Sequence, residues 1–186
     1  MAGKITPGLA KSWKALEDNP NIWRFQLRKG VFFHNGASMT ADDVVYSFKR
    51  AMKPTSGMKE LLSSVKDIRK VDDHTLDIET NGANPLLINN LTNLFVMDSG
   101  WTEKNGASDP QDVAGGETTF ASQNTNGTGP FLLVSRNPDQ KTTLTDKFKN
   151  KIETSDFIYL TDKKKFRSKN LRLIDKDSNT YIADNS

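Results

Sequence analysis

From Ile22 to Arg28 apolar and polar side chains alternate. Trp23, Phe25 and Leu27 share one side, set against Arg24, Gln26 and Arg28. A period of two with one apolar side predicts a half-buried β-strand. Ser12 to Leu16 predicts its partner. The segment Glu17-Asp18-Asn19-Pro20-Asn21 between them is turn chemistry, so the two are read as a β-hairpin. The arrangement recurs at Val65 to Val71 and Thr75 to Thr80, around Asp72-Asp73. It recurs again at Phe131 to Ser135 and Lys141 to Thr145, around Asn137-Pro138-Asp139. Two short apolar runs, Leu94 to Met97 and Phe157 to Leu160, are read as single strands.

The period changes after Thr40. Val44, Val45, Phe48, Ala51 and Met52 fall on one side of a helix, and Pro54 ends it. Thr40 and Asp43 have the spacing of a reciprocal cap, in which each side chain serves the other residue's amide. Asp42 and Asp43 sit at the positive end of the helix dipole. Before this helix, His34-Asn35-Gly36 predicts a turn, because Asn-Gly readily takes positive φ. Met58 to Ser64 is read as a short helix. Pro85 suits the first turn of another, running to about Asn93. From Asn105 to Asn126 the pattern dissolves into Gly, Ser, Asp, Thr and Asn, a loop too long to be an ordinary connection. Strands and helices in this order predict an α+β fold, with mixed or antiparallel sheet and flanking helices.

Composition narrows the chemistry. With 186 residues, one domain of ordinary size or one and a part is expected. The chain has no cysteine, which removes disulfides, thiolate metal sites and cysteine nucleophiles together. No apolar run is long enough to span a membrane, and the first residues lack the apolar core of an export signal. Net charge is +3, but ten Lys/Arg against four Asp/Glu lie between Lys147 and Lys176. Such a run raises nucleic acid or an anionic membrane as partner, and is more often a solvated chain end.

Catalytic signatures are missing. His34 and His74 are the only histidines, each in a turn and without a second imidazole at ligand spacing. There is no nucleophile elbow. Gly127-Thr128-Gly129-Pro130 lacks the Lys-Ser/Thr of a phosphate loop. The Asp42-Asp43 and Asp72-Asp73 pairs are accounted for by a helix start and a hairpin turn. Asn90-Leu91-Thr92 and Asn126-Gly127-Thr128 match a glycosylation sequon, which is too short to decide anything. Trp13 and Trp23 are expected in the core, while Trp101 stays open as a stacking residue. Binding is the class left, with no catalytic residue, metal site or cofactor expected.

Five ordered motifs then resemble one family, the family 5 extracytoplasmic solute-binding proteins of ABC importers for dipeptides, oligopeptides, nickel chelates and related solutes. Gly3-Lys4-Ile5-Thr6-Pro7-Gly8-Leu9-Ala10-Lys11-Ser12-Trp13 is similar to its G-x-I-x-P-x-L-A-x-S-W entry. Phe25 to Gly36 resembles F-x-L-R-x-G-V-x-F-H-D-G, and Thr40 to Phe48 resembles T-A-x-D-V-x-x-S. Val71 to Leu76 resembles V-D-D-x-T-L, and Asn126 to Phe131 resembles the G-T-G-P-Y/F segment. Where the family continues with Asn-Pro-x-Tyr-Trp, this chain has Asp146-Lys147-Phe148-Lys149-Asn150.

The resemblance implies the small subdomain of lobe I of a two-lobed clamp. Residues 1–145 would form it in part, and 146–186 a divergent basic segment. It implies a fragment of a periplasmic or surface receptor that supplies one wall of a solute cleft and binds peptide weakly or not at all alone. Its partners would be a peptide or related solute and the transporter permease, with no nucleic acid and no membrane span. Solute-lining positions carried over from the family are Phe95 and Met97, with Met58 added; all three are equally compatible with a core role. A truncated product without solute role, and a nucleic-acid or membrane binder acting through the basic end, are the rival readings.

Overall fold

Strands with one apolar face need a partner layer to bury it, and the first sheet obtains one from helices on a single side. The computed structural model describes residues 5–137, 141–146, 151–154, 172–174 and 180–182. They divide into two compact units, Met1–Ser122 with Asn126–Thr128, and Gln123–Thr125 with Gly129–Ser186.

In the first unit β1 (Ala10–Ala15), β2 (Ile22–Leu27), β3 (Val65–Asp72) and β4 (Thr75–Thr80) form an antiparallel sheet in the order β1-β2-β4-β3. Register explains its two faces. Trp13 pairs with Phe25, Phe25 with Leu76, Trp23 with Ile78, and Ile78 with Ile68. These side chains make the apolar face. Lys14 pairs with Arg24, Arg24 with Asp77, and Asp77 with Arg69, giving an opposite face on which Asp77 lies between two arginines. Both hairpins predicted from the alternation are present.

Helix α1 (Ala41–Ala51) lies on the apolar face, burying Ala41, Val44 and Phe48 in one cluster with the sheet. Its start follows the expected reciprocal cap: the Thr40 amide donates to Asp43 Oδ2 at 2.9 Å, and the box is complete. Met52, expected on the buried side, is the C-cap and 36% exposed. The helix has ended there, so the 3.6-residue period no longer governs its direction. Gly36 takes φ +89° in the predicted turn. A 3₁₀ turn covers Lys59–Leu62, inside the Met58 to Ser64 prediction.

Four elements differ from the pattern. Helix α2 is only Leu87–Leu91; Pro85 and Leu86 lie in the turn before it. Leu94 to Met97 is not a strand and pairs with none of the described strands; side chains hold it instead (below). Helix α3 (Ser99–Lys104) follows directly, unforeseen because its six residues carry no apolar period. Within the long polar stretch, α4 spans Phe120–Gln123. The stretch is partly pinned: Arg50 Nε donates to Ala107 O at 2.9 Å, and Lys53 Nζ to Asp109 Oδ1 at 2.7 Å.

The second unit is an antiparallel meander of β5 (Phe131–Asn137), β6 (Lys141–Asp146), β7 (Lys151–Thr154), β8 (Arg172–Ile174) and β9 (Thr180–Ile182). The predicted third hairpin is β5–β6, with Leu133 opposite Leu144. The Phe157 to Leu160 strand and most of the basic run lie outside the described residues. The two sheets with flanking helices make the fold α+β. No described helix is long and apolar enough to cross a membrane.

Exposed ion pairs give the first unit a predictable acid response. Lys66 and Arg69 hold the Glu79 carboxyl below its ordinary range; Lys70 does so for Asp73 and Lys53 for Asp109. Each is lower when folded, so its contribution is present above the unfolded carboxylate range and lost as pH falls through the folded value. The thermal midpoint is expected to drop on acidification from about pH 5 to about pH 3, and less steeply in high salt. A midpoint flat across that window contradicts it.

Candidate functional site

The connection between α2 and α3 is a strap of alternating direction. Leu94 and Val96 pack against the core cluster, while Phe95 between them is 80% exposed. A strand would supply ladder bonds to such a segment; here Ser47 on α1 does so instead. Ser47 Oγ accepts from the Met97 amide at 2.8 Å and donates to Asp43 O at 2.6 Å. Residue 98 then anchors the strap's far end.

Asp98 is buried and gathers three donors. Its Oδ1 accepts from the Trp101 amide at 2.9 Å, capping α3. Its Oδ2 accepts from Asn35 Nδ2 at 2.6 Å and Asn126 Nδ2 at 2.9 Å. Asn126 Oδ1 in turn accepts from the Asn35 amide at 3.0 Å. The His34 amide donates to Gly127 O at 2.9 Å, and Gly127 N returns a bond to His34 Nδ1 at 3.3 Å. The predicted His-Asn-Gly turn and the Asn-Gly-Thr-Gly-Pro segment are therefore clasped through one carboxylate.

Asp43 performs the matching task on α1. Besides closing the Thr40 cap, its Oδ1 accepts from the Ser99 amide at 3.0 Å and Ser99 Oγ at 2.9 Å. A buried carboxylate with several charge-assisted donors is well satisfied, and two such groups, Asp98 and Asp43, fix the end of the strap that enters α3. Lys70 bridges Asp42 and Asp73 at 2.6 and 2.7 Å. These contacts raise the ammonium's pKa and tie the helix start to the β3–β4 turn.

The sequence-derived positions fall on two segments. Phe95 projects from the strap. Met97 is half-buried, its backbone held by Ser47. Met58 is 43% exposed at the start of the 3₁₀ turn. Asp98 was not singled out by the sequence, and Asn126 only as part of a sequon and of the Gly-Thr-Gly-Pro motif, without a role. The available signal for Asp98 was Asp-Ser-Gly in the manner of a helix cap, masked by the shortness of α3. Asn126 is 8% exposed and spends its amide on Asp98, which argues against glycosylation there. Trp101, left open as a stacking residue, packs against Phe120 with ring centroids 5.5 Å apart. Among the described residues no three His, Asp or Glu converge in a metal-holding group. The arrangement presents an aromatic on a fixed backbone, which suits binding.

Comparison with known proteins agrees. The family model described as bacterial extracellular solute-binding proteins, family 5 middle, matches residues 4–181, running well past the five motifs. Heme-binding protein A of Haemophilus influenzae is 35% identical over 158 residues, covering 73% of this chain and 27% of that protein. The HTH-type transcriptional regulator SgrR of Shigella dysenteriae serotype 1 is 30% identical over 141 residues, covering 74% and 22%. Among solved structures, the ABC transporter-associated periplasmic binding protein DppA of Helicobacter pylori, in complex with peptide STSA, is similar. Its TM-score is 0.60 at 26% identity, covering 77% of this chain and 31% of that one. The chain spans about a quarter of the length of the curated relatives it matches. On the extent of the family match, this chain belongs to the bacterial extracellular solute-binding proteins of family 5.

Proposed function

We propose that the chain supplies one wall of the solute cleft in a substrate-binding component of an ABC importer for peptides or related solutes. Phe95 is the observation that carries this reading. A large aromatic is held 80% exposed on a strap whose neighbours Leu94 and Val96 are packed. Exposing that much apolar area is unfavourable in water and becomes useful when a partner covers it. Met97 and Met58 are the accompanying contacts. Residues 1–145 form part of the lobe I subdomain, and 146–186 continue from it as a basic segment of the same protein. The work is binding and presentation to a permease outside the cytoplasm, without catalysis.

One wall does not enclose a solute, and affinity in clefts comes from groups converging on it. Calorimetry on this chain with di- to pentapeptides is therefore expected to show no dissociation constant tighter than about 10 µM; a tighter value ends the one-wall reading. In a full-length protein carrying this segment, Phe95→Ala is expected to weaken solute binding about tenfold, roughly 1.4 kcal/mol. Unchanged affinity there, and in Met97→Ala and Met58→Ala, removes these positions from the wall. The likeness to a transcriptional regulator favours a second reading, in which the same wall serves sensing rather than import. A helix-turn-helix segment in the same polypeptide would select it.

A further inference from the structure

We infer that the first unit contains a second binding site, a pocket open on one side, for a small uncharged hydrophobic molecule of about one or two aromatic rings. A cavity of about 320 Å³ lies on the apolar face of the sheet. Phe25, Leu76 and Ile78 form its floor from β2 and β4, and Trp13 closes one side from β1. Ile88 of α2 and Leu94 of the strap face them. The space is at the lower end of the range for ligand pockets, about 300–1,000 Å³. Apolar cavities of about half that size accept a benzene.

The lining selects the class of ligand. Among the described residues no charged side chain contributes to it, and Thr6 and Thr92 supply its only side-chain hydroxyls. A carboxylate, an ammonium or a zwitterionic peptide would lose its hydration without finding a partner. Water is poorly served as well, since each buried molecule needs two to four polar partners. The floor residues are almost fully buried, at 7%, 1% and 1% exposure for Phe25, Leu76 and Ile78. An occupant there is removed from solvent on its inner side. The site is separate from the proposed solute wall: Leu94 and Val96 line the cavity, whereas Phe95 and Met97 do not.

Trp13 provides the readout. N-phenyl-1-naphthylamine, an uncharged fluorescent amine, is titrated into the 186-residue chain. The expected result is saturable one-to-one binding, with probe emission rising and tryptophan emission falling. Trp13→Phe should remove most of the tryptophan response and leave the probe response. Filling the space with Ile88→Phe should weaken probe binding at least tenfold with the far-ultraviolet spectrum unchanged. Leu94→Phe is the second filler should Ile88→Phe fail to fold. A tripeptide in excess should not displace the probe, whereas naphthalene should.

The site is overturned by non-saturable probe binding, by fillers that fold and bind as the parent does, or by displacement with tripeptide. A dimer detected by light scattering, with no saturable probe binding, overturns it too and assigns the cavity mouth to a second copy. None of these outcomes depends on the importer reading, which calorimetry with peptides tests by itself.

Discussion

Asp98→Ala is expected to destabilise the first unit by about 3 kcal/mol, because one side chain serves three separate segments. The substitution uncaps α3 at Trp101 and strips Asn35 and Asn126 of their shared acceptor. Asp98 is buried, so water does not readily replace what is lost. All three tryptophans, Trp13, Trp23 and Trp101, belong to this unit, so their fluorescence follows its unfolding. With a urea slope of about 1.5 kcal/mol per molar, the midpoint should fall by about 2 M. Asp98→Asn keeps an acceptor for the cap and should lose about half as much. Equal losses for Ala and Asn would mean that charge, rather than acceptor geometry, holds the clasp.

The second large effect is in the core. Ile68 is 1% exposed and sits opposite Ile78, which is 1% exposed as well. Ile68→Ala removes buried carbon and leaves a hole that its strand neighbours cannot close, at about 3–4 kcal/mol. Leu94→Ala makes a useful contrast. Leu94 is only half-buried and already borders the 320 Å³ cavity, so less packing is lost, about 1 kcal/mol. Denaturation of both variants, read by tryptophan fluorescence, checks the ordering. Equal losses would indicate that the cavity is collapsed in solution.

Much of the first unit was legible because its signals are local. Alternation in Ile22 to Arg28 assigned Trp23 and Phe25 to one face, and the register sets them opposite Ile78 and Leu76. The Thr40–Asp43 cap spans three residues and is formed as its spacing predicts. The strap was misread for an equally physical reason. Leu94 to Met97 has the extended alternation of a strand, but its amide at Met97 is taken by Ser47, fifty positions earlier. Periodicity reports direction, and it carries no information on whether a neighbouring strand exists.

By itself, the sequence determined the α+β class, the apolar face of β2, the hairpin turns and the start of α1. It also carries enough ordered motifs to point to the solute-binding family. These properties depend on periods of two and 3.6 residues and on cap and turn chemistry within a few positions. Tertiary structure alone decided that Phe95 faces solvent, that an apolar cavity lies behind it, and that one carboxylate joins Asn35, Asp98 and Asn126 across 63 and 28 positions. A hydrogen bond between side chains that distant leaves no local pattern, and an unfilled volume belongs to the packing of several elements rather than to any one of them.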